Sequence, residues 1–212
     1  MKNKIITVDG PAGSGKGRIA KYIANKWKFF HLDSGLLYRC FAHELLKNNV
    51  SIYNEKDISN FIKDLKNLSS RNFKNIRTER ISKVASIISV YKKVRNFINK
   101  QQRIIVEKKL KNKGCVIDGR DTGSVVFKKA NLKLYIEVDM KIRAKRRHKQ
   151  LIDMGEQSIY PKILKEIKLR DKKDKNRKNS PLVIPKGANI IDNSNSFNLT
   201  IKQINKIFKK IN

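Results

Sequence analysis

Eight residues near the start of the chain, Gly10-Pro11-Ala12-Gly13-Ser14-Gly15-Lys16-Gly17, have the composition of a phosphate cradle. Glycines accept positive φ and let the backbone come close to a ligand. Successive N–H groups can then face inward as an anion nest, backed by the positive end of a following helix. Lys16 would set a compact positive charge against the β- and γ-phosphates of a nucleotide. The flanks suit that chemistry. Ile5-Ile6-Thr7-Val8 reads as a strand, and Ile19, Ala20, Ile23 and Ala24 recur at helical spacing after the loop. The usual loop follows its lysine with Ser or Thr, whose hydroxyl meets Mg²⁺; here Gly17 and Arg18 follow. The loop alone points to a nucleoside triphosphate. It does not separate an enzyme from a nucleotide-binding protein that catalyses nothing.

The elements that must position this loop follow from pattern. Strands are expected at 2–9, 29–33, 114–118, 132–138 and 188–192. Helices are expected at 16–27, 34–47 (with Ser34 as its cap), 51–69, 78–90, 92–110, from about 141, at 159–178 and at 196–210. Short apolar strands alternating with helices predict an α/β fold, a parallel sheet with helices on both faces. Ligands of such sheets sit at the carboxyl ends of the strands. Asp9-Gly10, Asp33-Ser34, Asp118-Gly119-Arg120-Asp121 and Asp192-Asn193 all fall at strand ends and should line one rim.

The 212 residues suffice for one domain with insertions and a real core. No apolar run approaches a membrane span, and strand one begins too early to leave room for a signal peptide. Cys40 and Cys115, the only cysteines, read as core filler in a reduced, cytoplasmic protein. His31, His43 and His148 have no metal-ligand spacing, and Trp27 reads as packing. Fifty basic residues against eighteen acidic ones give a net charge of +32. Because the lysines are spread over every segment, compositional drift is favoured over a nucleic-acid-binding surface. Only weak, salt-sensitive polyanion binding is expected.

Further motifs follow in order: Leu32-Asp33-Ser34-Gly35-Leu36-Leu37-Tyr38-Arg39; Asp118-Gly119-Arg120-Asp121-Thr122-Gly123; Arg143-Ala144-Lys145-Arg146-Arg147; and Arg170-Asp171-Lys172-Lys173-Asp174-Lys175-Asn176-Arg177 before Ser180-Pro181-Leu182. Together with the loop they closely resemble the bacterial cytidylate kinases, a branch of the P-loop nucleoside monophosphate kinases. The resemblance runs from residue 3 to about residue 205. It implies transfer of the γ-phosphoryl group of ATP to CMP or dCMP, with Mg²⁺ held mainly by the phosphates. It also implies a core of 1–35, 106–151 and 179–212, an acceptor region at 36–105 and a lid at 152–178, in a protein expected to be a monomer.

The resemblance implies roles residue by residue. The loop from Gly10 to Arg18, with Arg146, would hold the donor triphosphate. Asp33-Ser34, Arg39, Arg77 and Arg120 would hold the acceptor, with Arg39 and Arg120 on its phosphate. Ser86, Arg95 and Asp121 would meet the cytosine ring, and Arg170, Asp174 and Arg177 would lie near its sugar and phosphate. Lys16, Arg120, Arg143, Arg170 and Arg177 would compensate charge during transfer. Such residues suit the reaction, because phosphoryl transfer needs positioning and charge compensation rather than covalent help. Arginines also keep their charge and bind phosphate oxygens bidentately.

Three positions leave alternatives open. Arg18 stands where the family has Thr, and could reach the α-phosphate or lie outward. Asp118 could act as a Walker-B carboxylate or hold Arg177 or a backbone N–H. The small sheet insertion of the longer family members looks trimmed to the polar stretch 66–75, leaving the helices of 78–110 to carry the acceptor contacts. A kinase for UMP or AMP, a nucleotide-dependent nucleic-acid-binding protein and a catalytically impaired relative are the rival readings.

Overall fold

The computed structural model describes residues 3–65, 76, 78–111 and 113–209. Among the described residues five parallel strands form one sheet in the order β2-β3-β1-β4-β5. They are β1 (Ile5–Asp9), β2 (Phe30–Asp33), β3 (Cys115–Gly119), β4 (Leu132–Glu137) and β5 (Asn189–Asp192). Among the described residues eight α-helices surround them: α1 (Lys16–Trp27), α2 (Ser34–Lys47), α3 (Glu55–Asp64), α4 (Glu79–Ile88), α5 (Lys92–Leu110), α6 (Met140–Asp153), α7 (Tyr160–Asn176) and α8 (Phe197–Lys209).

The register aligns the strand ends. Asp9 pairs with Gly119 and Tyr135, Asp33 with Asp118, and Glu137 with Asp192, so the expected acidic rim forms. From β1 the chain crosses to β2 on one side, and from β3 it crosses back to β4 on the other. The crevice of an open α/β sheet opens between adjacent strands whose connections diverge in this way. The loops after β1 and β3 therefore face each other across one cleft.

Strand pleating sorts the core into two faces. Cys115 and Ile117 pack with Phe41, Leu45, Ile88, Val94 and Ile98 of α2, α4 and α5. Val116 joins Ile6, Val8, Ile19, Ile23, Leu134, Ile136 and Ile204 on the α1–α8 side. A third cluster, Ala144, Ile163 and Ile167, joins α6 to α7. Completely buried side chains such as Phe41 and Ile136 contribute about 1.5–3 kcal/mol each in area terms.

The structure corrects two expectations. The cap of α2 is Asp33, whose carboxylate accepts the Leu36 N–H at 3.1 Å. Ser34 lies inside the helix and turns its hydroxyl toward Gly119. The helix expected over 51–69 begins at Glu55, after the Asn54 cap, and ends at Asp64. A wide π-type turn at Thr122–Val126 has no counterpart in the sequence pattern. No helix of the described residues is long and apolar enough to cross a membrane. Trp27 stacks on Phe208 at 3.8 Å, and both cysteines are buried and free, as expected.

Candidate active site

The cleft between the loops after β1 and β3 has a volume of about 320 Å³. One wall is Ala12, Gly13, Gly15, Lys16 and Gly17 of the phosphate loop. The opposite wall is Ser34 and Arg39 of α2, Ser86 of α4 and Arg95 of α5. Arg120 and Asp121 also line the cleft, with Arg170 and Asp174 of α7 and Arg177 just after that helix. Six cationic side chains (Lys16, Arg39, Arg95, Arg120, Arg170, Arg177) face four carboxylates (Asp33, Asp118, Asp121, Asp174). The excess of positive charge in a partly desolvated space makes the cleft a receptor for polyanions.

Its electrostatics follow from that crowding. Burial, helped by Arg120, lowers the Lys16 ammonium to about 7, against the opposing pull of Asp118. Lys16 Nζ donates to the Pro11 carbonyl at 3.1 Å. Burial and Arg120 together lower Arg170 to about 10, and its Nε is buried with no partner among the described residues. Burial would raise the Asp174 carboxyl, but Arg120 and Arg177 hold it below the usual carboxylate range. Arg120 Nε donates to Asp174 Oδ2 at 2.9 Å, and Arg177 Nη1 lies 3.4 Å from Oδ1.

Arg95 Nη1 donates to Asp121 Oδ2 at 3.1 Å and to the Tyr38 hydroxyl at 3.0 Å. Burial pushes that phenol up to about 12. The segment carrying Arg120 and Asp121 hangs from Asp9. The Asp9 carboxylate, completely buried, accepts from Thr122 N, Thr122 Oγ1 and Gly123 N at 2.7–2.9 Å. Period-two pleating puts Thr7 and Asp9 on the face where this turn packs. Burial raises Asp9 to about 6, although these donors pull the other way.

Several expected residues take other places. Arg18 is exposed and its guanidinium lies 3.8 Å over the Phe197 ring, which is the outward alternative. Among the described residues Asp118 holds neither Arg177 nor a backbone N–H. Its Oδ1 meets His31 Nε2 at 2.6 Å, and Arg177 instead donates from Nε to the Ser180 carbonyl. Arg143 lines a second hollow behind the loop, with Pro11, and is bidentate to Asp171 at 2.6 and 3.1 Å. Arg146 donates to the carbonyls of Asn193, Ser194 and Asn195. Gly10 is buried against Ile136, and Ser14 is buried with no partner for its hydroxyl among the described residues. Arg77 and the stretch 66–75 lie outside the described residues.

Sequence reasoning gave no role to Tyr38, Asp171 or His31, and placed Asp9 and Asn193 only on the rim of strand ends. The spacing of Ser34 and Tyr38, four apart on α2, was the available sign that Tyr38 shares the cleft-facing side.

Comparison with known proteins agrees with this geometry. A family model described as cytidylate kinase matches residues 6–212. Cytidylate kinases of Thermosipho melanesiensis (38% identical, covering 97% of this chain and 96% of their own) and Fusobacterium nucleatum (38%, covering 100% and 98%) are among the relatives. So is that of Bartonella tribocorum (36%, covering 92% and 88%). Solved structures share the fold. A Thermus thermophilus protein superposes with a TM-score of 0.58 at 13% identity, covering all of both chains. The shikimate kinase of Bacteroides thetaiotaomicron superposes with 0.50 at 10%, covering 97% and 98%. With the phosphate loop, the arginine-lined cleft and the family match in agreement over nearly the whole length, the chain belongs to the cytidylate kinase family.

Proposed function

We propose that the chain transfers the γ-phosphoryl group of ATP to CMP or dCMP, giving ADP and the corresponding diphosphate. The observation that carries this reading is one cleft lined by the phosphate loop and by Arg39, Arg120, Arg170 and Arg177, with Arg95 and Asp121 paired in the same lining. The donor triphosphate lies on the loop, and the acceptor phosphate lies among Arg39 and Arg120. Asp121, Arg95 and Ser86 read the base. A cytosine offers an amino donor to the Asp121 carboxylate, whereas a uracil would set a carbonyl against it, leaving buried polar groups unmatched. Lys16 and the lid arginines compensate charge as the transferred group moves in line between donor and acceptor. The acceptor region is 36–105 and the lid 152–178, on a core of 1–35, 106–151 and 179–212. In support, Asn179 after the lid donates to the Val90 carbonyl, and Glu79 of α4 feels the charges of Arg147 and Lys162. Closure excludes water and suppresses ATP hydrolysis.

The family implies a divalent metal, which we take as Mg²⁺. Asp118 suits it: its Oδ2 lies 3.6 Å from where a Cβ on Gly17 would stand, and a carboxylate oxygen is the donor Mg²⁺ takes. Asp118 would hold the ion together with the nucleotide phosphates, and the ion supplies neutralisation of charge on the β- and γ-oxygens. ADP release by purified protein, with ATP·Mg²⁺ and each of CMP, dCMP, UMP and AMP in turn, tests the reading. Release that depends on CMP and dCMP, and is much poorer with UMP, is expected. The absence of acceptor-dependent release would overturn it.

A further inference from the structure

The phosphate loop is gripped from outside at two alternate carbonyls. Arg143 Nη1 donates to the Ala12 carbonyl at 3.1 Å, and Asn193 Nδ2 donates to the Ser14 carbonyl at 2.8 Å. Both gripping side chains are buried, at 4% and 5% exposure. In a trans peptide the C=O and the following N–H point in opposite directions. Holding the Ala12 oxygen outward therefore turns the Gly13 N–H inward, and holding the Ser14 oxygen does the same for Gly15. Gly13 and Gly15 have left-handed φ values of 74° and 79°, which glycine adopts without strain. Neither N–H donates to an acceptor among the described residues.

Each grip is itself anchored. Arg143 Nε donates to the Val138 carbonyl at 3.2 Å, and its two terminal nitrogens hold Asp171 of α7. These bonds use four of the five N–H donors that a guanidinium has. Asn193 Oδ1 accepts from Thr200 Oγ1 at 2.8 Å, which turns the amide nitrogen toward Ser14.

We infer that Arg143 and Asn193 are positioning residues that aim the loop amides at the donor phosphates, and that Asp171 ties this aim to the placement of the lid helix. Arg143 acts through the loop rather than on phosphate. The inference rests on the reading of the loop as the donor cradle.

The test is ATP affinity by calorimetry without acceptor, together with steady-state kinetics. Asn193→Ala and Arg143→Gln should each weaken ATP about tenfold, the worth of one lost hydrogen bond. The KM for ATP should rise while the KM for CMP stays within about twofold. Asp171→Asn should weaken ATP in the same direction. The double variant Arg143→Gln/Asp171→Asn should be no worse than Arg143→Gln alone, because both changes break one unit. Tighter ATP binding by Asp171→Asn would overturn the inference, since the carboxylate would then only mask a phosphate ligand. Full rescue by Arg143→Lys would also overturn it, by showing that charge alone suffices. Should the Arg143 variants fail to fold, Asn193→Ala decides. Wild-type protein that does not bind ATP would sink the donor-cradle reading and the inference with it. Wild-type binding with unaffected variants would sink the inference alone.

Discussion

Arg95 and Asp121 face each other at 3.1 Å, at 2% and 5% exposure, in the lining of the cleft that also holds the phosphate loop. Two buried charges of opposite sign cost less together than either would alone. Removing one partner leaves the other uncompensated, at a cost of about 3–5 kcal/mol. Asp121→Ala is therefore expected to lower stability by that order in urea denaturation and to relax the preference for CMP over UMP. A variant that kept full cytosine preference would remove Asp121 from base reading.

Lys16 sets a pH dependence. Burial and Arg120 hold its ammonium at about 7 in the free protein, so above pH 7 it becomes increasingly neutral. A triphosphate favours the charged form and raises that pKa on binding. Binding then takes up a proton, and apparent ATP affinity falls by up to about tenfold per pH unit above 7. Calorimetry at pH 8 in two buffers of different ionisation enthalpy reads the proton uptake. Identical heats in the two buffers would contradict it.

Arg18 lies over Phe197 and away from the cleft. Replacement by the family's Thr is expected to change turnover less than about threefold and to cost about 0.5–1 kcal/mol through the lost cation–π contact. Thermal unfolding and the coupled assay check both parts. A rise in turnover of orders of magnitude would show that the native loop is impaired.

Gly119 separates α2 from the turn at Thr122–Val126. A Cβ there would stand 2.5 Å from both Ser34 Oγ and Thr122 Cγ2. Gly119→Ala is expected to destabilise by about 1–3 kcal/mol, as overpacking does, and to raise the KM for CMP more than that for ATP. At Gly17 the same methyl would meet Asp118 Oδ2 at an ordinary 3.6 Å, so Gly17→Ala serves as the tolerant comparison for stability.

The phosphate loop, the alternation of strands and helices and the acidic rim were all legible in the sequence, because each depends on local composition and period. The convergence of Arg39, Arg120, Arg170 and Arg177 was legible only through the motif order. The partners of individual side chains were not. Arg143 and Asp171 are 28 positions apart, and Arg146 and Asn193 are 47 apart, so no local rule says that their donors already have acceptors. Asp33 and Ser34 are both good capping types. The choice between them depends on β2 still pairing at Asp33, opposite Asp118. The turn at Thr122–Val126 takes its shape from Asp9, more than a hundred residues earlier.

That last relationship bears on how such an enzyme could diverge. Asp9 immediately precedes the phosphate loop, and it holds the turn after β3 through two backbone N–H groups and the Thr122 hydroxyl. Main-chain donors are the same whatever residue occupies position 121. On the proposed reading of Asp121, the base reader can thus be exchanged while one strand end continues to hold the phosphate loop and the turn after β3 together. Substrate choice and reaction geometry become separately mutable, and a lineage could explore new acceptors without rebuilding the path along which phosphate moves.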